Sequence, residues 1–138
     1  SSSGNCYYLA TDNTQILVDA GIAVKSLRHD LKERGVMLTE IDAVFITHDH
    51  ADHIKAVGHL AHDYHLPIYA TEEVHRGINR NYCVTAKLTP EHTRVIQKSQ
   101  PSIPPLALLL FRNSFCAESS HPKASLSFQR VKSPMTFK

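Results

Sequence analysis

The sequence predicts an α/β fold for residues 1–92, because short apolar strands alternate there with amphipathic helical segments. Two buried strands are indicated at residues 15–19 and 43–47, where β-branched and other apolar residues run together. A helix between them is indicated by Val24, Leu27 and Leu31, which recur at helical spacing among charged residues. The chain has 138 residues, 42% of them hydrophobic, which suffices for one domain with a core.

The first elements are predicted to form a hairpin. Residues 6–10 are expected to be a strand that ends at the turn signal Asp12-Asn13. Residues 15–19 form the returning strand, apolar enough to be buried. Asp19 therefore lies at a strand end, where spacing alone favours a turn or helix-capping carboxylate.

The following segments continue the alternation. A helix over residues 23–34 is expected to end at Gly35, and a second helix over residues 52–65 carries its apolar residues on one face. Residues 66–70 are expected to be a short strand, and Thr71 caps a helix that runs to about residue 79. Four histidines on the helix over residues 52–65 and on the helix after Thr71 are expected at the surface or at edges: His59, His62, His65 and His75.

The densest group of metal-competent side chains directly follows the strand at residues 43–47. His48 and His50, two apart in an extended segment, project to one side and can bind one ion. Asp52 and His53 fall on the next turn, where they can reach a second position. Imidazoles and a carboxylate suit Zn²⁺, with Fe or Mn as substitutes, and a metal-bound water supplies hydroxide near neutral pH. The sequence therefore predicts a metal site with hydrolase chemistry.

The string His48-x-His50-x-Asp52-His53, preceded by Ile-Leu-Val-Asp-Ala-Gly at residues 16–21, resembles the signature of the metallo-β-lactamase fold superfamily. The resemblance implies the amino-terminal half of an αββα sandwich. It also implies two divalent metal ions, one bound by the first two histidines and the other by the aspartate and the last histidine. The resemblance further implies that Asp52 orients the attacking water.

The opening residues narrow the resemblance. Ser-Ser-Ser-Gly-Asn-Cys-Tyr-Tyr at residues 1–8 is similar to the Ser-Ser-Gly-Asn loop of the YycJ (WalJ) type subgroup. Members of that subgroup resemble RNase Z-like and DNA-exonuclease-like phosphodiesterases. The resemblance implies that Ser3, Gly4 and Asn5 lie near the site and that Asp19 supports it.

The family also needs ligands that this chain does not clearly supply: a third histidine for the first metal, a bridging aspartate and a last histidine for the second. No aspartate follows Asp63 and no histidine follows His121. The candidates for the third ligand are His92 and His121. A bridging carboxylate could come only from Glu91 or Glu118.

Residues 93–138 are expected to be an irregular, unassigned tail. They contain eight Ser and five Pro without a helix or strand period, and 7 Lys and Arg against one acidic residue. Residues 1–92 carry 8 Lys and Arg against 12 Asp and Glu. The basic segment can meet phosphate backbones, with an unselected, solvated tail as the alternative. The resemblance ends at about residue 92 and lacks the strand that precedes the loop in the family. We therefore expect an incomplete chain, truncated at the front and continued by unrelated sequence.

The compartment is expected to be the cytoplasm. Three scattered cysteines, Cys6, Cys83 and Cys116, lack metal or redox spacing and fit a reducing environment. No apolar run approaches the roughly 18 residues of a membrane span, and no secretory signal opens the chain.

Three functional interpretations follow. The first is a dinuclear metallo-hydrolase, a nuclease or phosphodiesterase whose metal-bound hydroxide attacks a nucleic-acid phosphate. A hydrolase of a small ester, thioester or lactam is the alternative within the family. The second is a metal-binding fragment without activity. The third is a chain that does not fold alone, because half of the sheet is missing and an edge is unpaired.

Overall fold

The computed structural model describes residues 4–97 and 127–130, the last four as backbone only. Six strands are present in this part of the chain: β1 (Tyr7–Thr11), β2 (Thr14–Val18), β3 (Ala43–Phe45), β4 (Ile68–Ala70), β5 (Thr93–Val95) and β6 (Ser127–Arg130). The helices are α1 (Val24–Glu33), a 3₁₀ turn (Leu38–Glu40), α2 (Ala51–Ile54), α3 (Val57–Tyr64) and α4 (Glu72–Arg80). The expected α/β alternation is confirmed.

The strands form one six-stranded sheet in the order β5-β4-β3-β2-β1-β6. The hairpin β1-β2 is antiparallel, and β2, β3, β4 and β5 then run parallel to one another. The register aligns Val18 with Phe45 and Phe45 with Tyr69. The carboxyl ends of β2, β3 and β4 therefore meet at one edge of the sheet, which is where ligand sites form in such sheets.

The core is built from the apolar residues that the sequence pattern places on the inner faces. α1 ends as expected, with Gly35 at a φ of +75° in the left-handed region that glycine adopts without strain. The Thr71 side chain caps α4 by accepting a hydrogen bond from the backbone N–H of Val74. The largest fully buried side chains come from strands, helices and the segment after α4: Leu17, Leu27, Leu31, Val44, Ile54, Val57, Leu60, Ile68, Ile78 and Val84. Among the described helices, none has both the length and the apolar character needed to cross a bilayer.

The single helix expected over residues 52–65 is two helices, α2 and α3, with a break at Lys55-Ala56. The break follows from hydrogen bonds made outside the helix. The Asp52 carbonyl accepts from the N–H of Asn5 and the His53 carbonyl from the N–H of Ala20, each at 2.7 Å. Those carbonyls would otherwise serve the next helical turn. The N–H of Ala56 instead donates to the carbonyl of Ala20 at 2.8 Å.

Two further expectations are corrected. His75 was expected at the surface, but it is buried and its Nε2 hydrogen bonds to the backbone carbonyl of Arg94 at 3.0 Å. This contact forms because β5 lies beside α4, which the local sequence does not reveal. The tail from residue 93 was expected to be irregular, yet Thr93–Val95 form β5 beside β4, and residues 127–130 form β6 antiparallel to β1, where they pair its otherwise open edge.

Cys6 offers a test of this core. It is fully buried just before β1, and burial, reinforced by the negative charges of Asp19 and Asp30, raises the pKa of its thiol to about 12. The unfolded thiol loses its proton near pH 9.0. Between those values the native state holds more protons, so the free energy of unfolding is expected to fall as pH rises from about 9 to 12.

Alkylation provides the measurement. At pH 8 native Cys6 is expected to resist iodoacetamide, whereas the half-buried, free Cys83 reacts. Peptide mass spectrometry after a time course separates the two sites, and the urea-unfolded chain is the control in which both react. Equal labelling rates in the native chain would contradict the buried position.

Candidate metal centre

Two parallel strands deliver the predicted site residues to the same edge of the sheet. Asp19 follows β2 and His48 follows β3. The N–H of Asp19 donates to the Phe45 carbonyl at 2.8 Å, which ties the end of β2 to the end of β3. The chain then turns through His50 and enters α2, whose first turn carries Asp52 and His53.

The carboxylate of Asp19 accepts hydrogen bonds from two segments that meet at this edge of the sheet. Its side chain is buried, and its backbone has a φ of +61°, a left-handed conformation that aspartate adopts more readily than most residues. Its carboxylate accepts hydrogen bonds from the N–H of Thr47 at 2.9 Å and from the Thr47 hydroxyl at 2.8 Å. It also accepts from Nδ1 of His53 at 2.8 Å. Three donors on two different segments therefore converge on one buried anion.

These bonds determine which ring nitrogens are free to bind a cation. Because a carboxylate only accepts, His53 carries its proton on Nδ1, and the lone pair lies on Nε2. The Thr47 hydroxyl donates to Asp19 and so accepts from Nδ1 of His48 at 2.9 Å. Both histidines thus present Nε2 as the acceptor atom, the tautomer in which imidazole binds a metal ion.

The three motif imidazoles are packed together. The ring centroids of His48 and His53 are 3.7 Å apart, and those of His48 and His50 are 4.7 Å apart. Asp52 joins the group through its carboxylate, which lies 3.5 Å from Nε2 of His53. The structure therefore places the four predicted ligands on one turn, although no three of them have ligand atoms that all lie within 4.8 Å of one another.

The loop at Gly4-Asn5 packs against the turn that carries the motif residues through close backbone contacts. The N–H of Asn5 donates to the Asp52 carbonyl at 2.7 Å, and the N–H of Gly21 donates to the Asn5 carbonyl at 2.8 Å. A Cβ on Gly4 would overlap the Gly21 carbonyl oxygen, and a Cβ on Gly21 would overlap that of Asp52. Glycine is required at both positions because three backbone segments are in contact. Gly4 and Asn5 thus lie against the motif turn, while Ser3 lies outside the described residues.

The Asn5 side chain tests whether these residues fit a cation. Its amide nitrogen donates to Asp52 Oδ2 at 3.1 Å and to Nε2 of His53 at 3.0 Å. The lone pair of His53 Nε2 and the Asp52 carboxylate oxygen therefore both face the position of the Asn5 amide nitrogen, which carries a partial positive charge. A divalent cation has the same preference for those two acceptors, so the donor set fits a metal ion of the zinc class.

Sequence reasoning missed three residues that shape the turn. Thr47 bridges Asp19 and His48, and its position directly before the motif was the available signal. Asn81 donates from its side-chain amide to the Asp49 carbonyl at 3.0 Å. Gly77 on α4 lets the Asp49 side chain lie against the helix, since a Cβ there would overlap that carboxylate. No pattern in the sequence linked α4 to the turn.

The other candidate ligands lie elsewhere. His92 precedes β5, at the sheet edge opposite to the carboxyl ends that carry the motif, and its ring contacts His62 with centroids 4.7 Å apart. His92 is therefore not a third ligand, and the neighbouring Glu91 is not a bridging carboxylate. His121 and Glu118 lie outside the described residues.

A second group of potential ligands occurs on α1. Among the described residues, His29, Asp30 and Glu33 alone form a set of three whose ligand atoms all lie within 4.8 Å of one another. The side chains of His29 and Glu33 are 67% and 68% exposed, so water satisfies them without an ion. Asp30, in contrast, is buried, and its Oδ2 has no hydrogen-bond partner among the described residues.

Comparison with known proteins adds the evolutionary context. A family described as the metallo-beta-lactamase superfamily matches residues 2–105, which extends past residue 92. Exodeoxyribonuclease YycJ of Bacillus anthracis is 40% identical over 72 residues, 52% of this chain and 27% of that protein. Exodeoxyribonuclease WalJ of Streptococcus pneumoniae is 44% identical with the same coverage. The chain thus spans about a quarter of the length of these curated relatives.

Solved structures share the fold. A B3 metallo-beta-lactamase with an active-site glutamic acid superposes with a TM-score of 0.55 at 18% identity, over 71% of this chain and 45% of that one. MEM-A1, a subclass B3 enzyme from a soil metagenome library, gives 0.52 at 16% identity, over 72% of this chain and 46% of that one. At these identities the likeness concerns the fold alone.

Proposed function

This chain belongs to the metallo-beta-lactamase superfamily, whose profile matches residues 2–105, and from that premise we propose that it is the metal-binding amino-terminal part of a phosphodiesterase that acts on DNA. The observation that carries the proposal is the clustering of His48, His50, Asp52 and His53 on one turn, where His53 is hydrogen-bonded to the buried Asp19. The exodeoxyribonuclease relatives support DNA as the substrate.

The residues of the chain have distinct tasks in this proposal. His48 and His50 hold one cation, and Asp52 and His53 hold another. Asp19 keeps His53 in the metal-binding tautomer, and Thr47 does the same for His48. Asp52, which has a second carboxylate oxygen, orients the attacking water. Bound divalent ions would supply a nucleophile at neutral pH and stabilise charge on the phosphate oxygens.

Zinc is the proposed metal, because three imidazoles and one carboxylate are its preferred ligands in catalytic sites. Manganese and iron are the alternatives. The proposed compartment is the cytoplasm, where the free thiols of Cys6 and Cys83 remain reduced.

A metal-binding part without activity of its own is the second candidate. The position of His92 favours it: four predicted ligands lie within residues 4–97, and His92 lies at the opposite end of the parallel strands. A ligand for the remaining positions would have to come from outside residues 4–97. This reading predicts metal binding without turnover.

Elemental analysis of the purified full chain decides between the two. We expect zinc in the wild type and its loss in His48→Ala and Asp52→Ala, because each variant removes a metal ligand. His59→Ala is the matched control, since His59 is an exposed histidine on α3 that pairs with Asp63. Its metal content is expected to equal that of the wild type.

Hydrolysis of bis(p-nitrophenyl) phosphate by the zinc-loaded chain then tests activity, with nitrocefin as the lactam comparison. Turnover of the phosphodiester that His48→Ala abolishes supports the phosphodiesterase. Metal binding without turnover supports the inactive part. Hydrolysis of nitrocefin alone would overturn the preference for DNA, and an equal metal content in all four proteins would overturn the site itself.

A further inference from the structure

A groove opens beside the proposed metal centre and has no role in it so far. The groove has a volume of about 700 Å³ and runs between the motif turn and one face of α4. We call it the α4 groove, and its lining includes Asp49, Arg76, Arg80, Asn81 and Tyr82. Asp49 stands between His48 and His50 in the sequence, so one end of the groove reaches the metal-binding turn.

The wall of the groove that Asp49 forms is fixed against α4. The Asn81 side chain donates to the Asp49 carbonyl at 3.0 Å, and the missing side chain of Gly77 allows Asp49 to lie against α4. The groove and the metal-binding turn are therefore parts of one packed unit. A molecule bound along α4 would be kept at a constant distance from the cations.

Two arginines provide positive charge along α4. Arg76 and Arg80 are four residues apart, so they lie on one face of the helix, one turn from each other. Arg76 is 62% exposed and its guanidinium is 4.0 Å from the carboxylate of Glu72, which is 74% exposed. A pair this exposed and this long contributes little, so the guanidinium can turn to an anionic ligand.

Tyr82 adds an aromatic surface next to these charges. Tyr82 is 90% exposed and lies two residues after the end of α4. The turn that carries it is well supported, because Asn81 Oδ1 accepts from the N–H of Cys83 at 3.1 Å. The backbone carbonyl of Asn81 accepts from Nζ of Lys87 at 2.8 Å. A stacking surface is thus presented to solvent on an ordered turn.

Two acidic residues, Glu73 and Asp49, also line the groove, and Glu73 sets a direction along it. It lies in the first turn of α4, where its charge stabilises the amino end of the helix. A polyanion would be repelled from that end and attracted to the carboxyl end, where Arg80 and Tyr82 lie.

We propose that the α4 groove binds a single strand of DNA and leads it to the metal-binding turn, with Arg76 and Arg80 on its phosphates and Tyr82 stacked on an unpaired base. Arginines beside an exposed aromatic ring are the combination that binds single strands independently of sequence. An unpaired base is required because the faces of paired bases are covered by their neighbours in a duplex. This inference rests on the proposed phosphodiesterase function and adds the path of its substrate.

The test is the binding of a fluorescent oligothymidylate to the full chain by anisotropy, at several salt concentrations and in EDTA so that no cleavage occurs. Arg80→Ala is expected to weaken binding and to reduce the slope of log K against log salt by about 0.7, the value for one phosphate contact on a single strand. Tyr82→Ala is expected to weaken binding about tenfold without changing the slope, because stacking releases no counterions. Tyr82→Phe is expected to restore the affinity.

Arg28→Ala is the matched control, because Arg28 is an exposed arginine on α1 and is absent from the groove lining. It is expected to bind as the wild type does. Thermal unfolding of every variant should give the wild-type midpoint, since the substituted side chains are exposed. Equal binding by wild type, Arg80→Ala and Tyr82→Ala, or no binding by the wild type, would overturn the groove.

The two proposals fail in distinguishable ways. Loss of phosphodiester hydrolysis with these binding differences intact would reject the catalytic proposal and keep the groove. Hydrolysis of the small phosphodiester together with unchanged DNA binding in the variants would reject the groove and keep the catalytic proposal.

Discussion

Asp19→Ala is expected to lower the affinity for zinc by roughly 10- to 100-fold, the usual cost of losing the partner that orients a metal-binding histidine. The physical reason is the proton on Nδ1 of His53, which the Asp19 carboxylate holds at 2.8 Å. Without that acceptor the ring is free to rotate or to move its proton to Nε2, the atom that must bind the metal. Competition with a chelating zinc indicator measures the affinity.

The same substitution is expected to cost about 3 kcal/mol or more of unfolding free energy. It leaves the N–H of Thr47 and the imidazole of His53 without their acceptor, and it places alanine at a φ of +61°. Asp19→Asn separates the two effects, since asparagine tolerates this backbone conformation and keeps the volume. It is expected to retain the fold and still to lose zinc affinity, because an amide cannot accept all three hydrogen bonds.

Asp42→Ala is the matched control for Asp19. The Asp42 carboxylate also accepts a backbone N–H, that of Gln15 at 2.8 Å, but it is exposed and lies away from the motif. We expect a loss of about 1 kcal/mol and unchanged zinc affinity. If Asp19→Asn bound zinc as tightly as the wild type, the orienting role of Asp19 would be refuted.

Gly21→Ala is expected to destabilise the fold by more than about 3 kcal/mol, at the upper end of what overpacking costs. The new Cβ would overlap the carbonyl oxygen of Asp52, a backbone atom that cannot turn aside as a side chain can. Relieving the overlap requires separating Gly21 from the motif turn. That movement breaks the hydrogen bonds between Asn5 and both segments. Urea unfolding followed by circular dichroism measures the loss.

Gly35→Ala is the companion variant, because it isolates backbone conformation from close contact. Gly35 has a φ of +75°, and a Cβ there meets nothing within 4 Å. The expected cost is therefore only about 1 kcal/mol, that of placing an L-residue in the left-handed region. Equal losses in Gly21→Ala and Gly35→Ala would show that the contact with Asp52 is not tight.

Much of the fold follows from local patterns. The helical spacing of Val24, Leu27 and Leu31 and the glycine at position 35 predicted α1 to within one residue at each end. Thr71 predicted the start of α4 because a threonine side chain caps a helix through its own backbone neighbours. Such features depend on residues close in sequence and are therefore readable without the fold.

The prediction failed where backbone groups bond across the chain. Nothing in residues 52–65 indicates a break after Ile54, since the interruption comes from Asn5 and Ala20, which take the carbonyls of Asp52 and His53. His75 looked like a surface residue on a polar helix and is buried because β5 lies beside it. His92 looked like a possible ligand and is separated from the motif by the length of the parallel strands.

The sequence by itself predicted the ligand set, because imidazoles and a carboxylate at this spacing after a buried strand are typical of a metal site. It also determined the alternation of strands and helices, which depends on local periodicity. Only the tertiary structure decided which nitrogen of His48 and of His53 is the acceptor, why glycine is required at position 21, and that Arg80 and Tyr82 line a groove together with Asp49 of the motif turn. These depend on groups distant in sequence, Asp19 with His53 and Asn81 with Asp49, and such contacts exist only after the chain has folded.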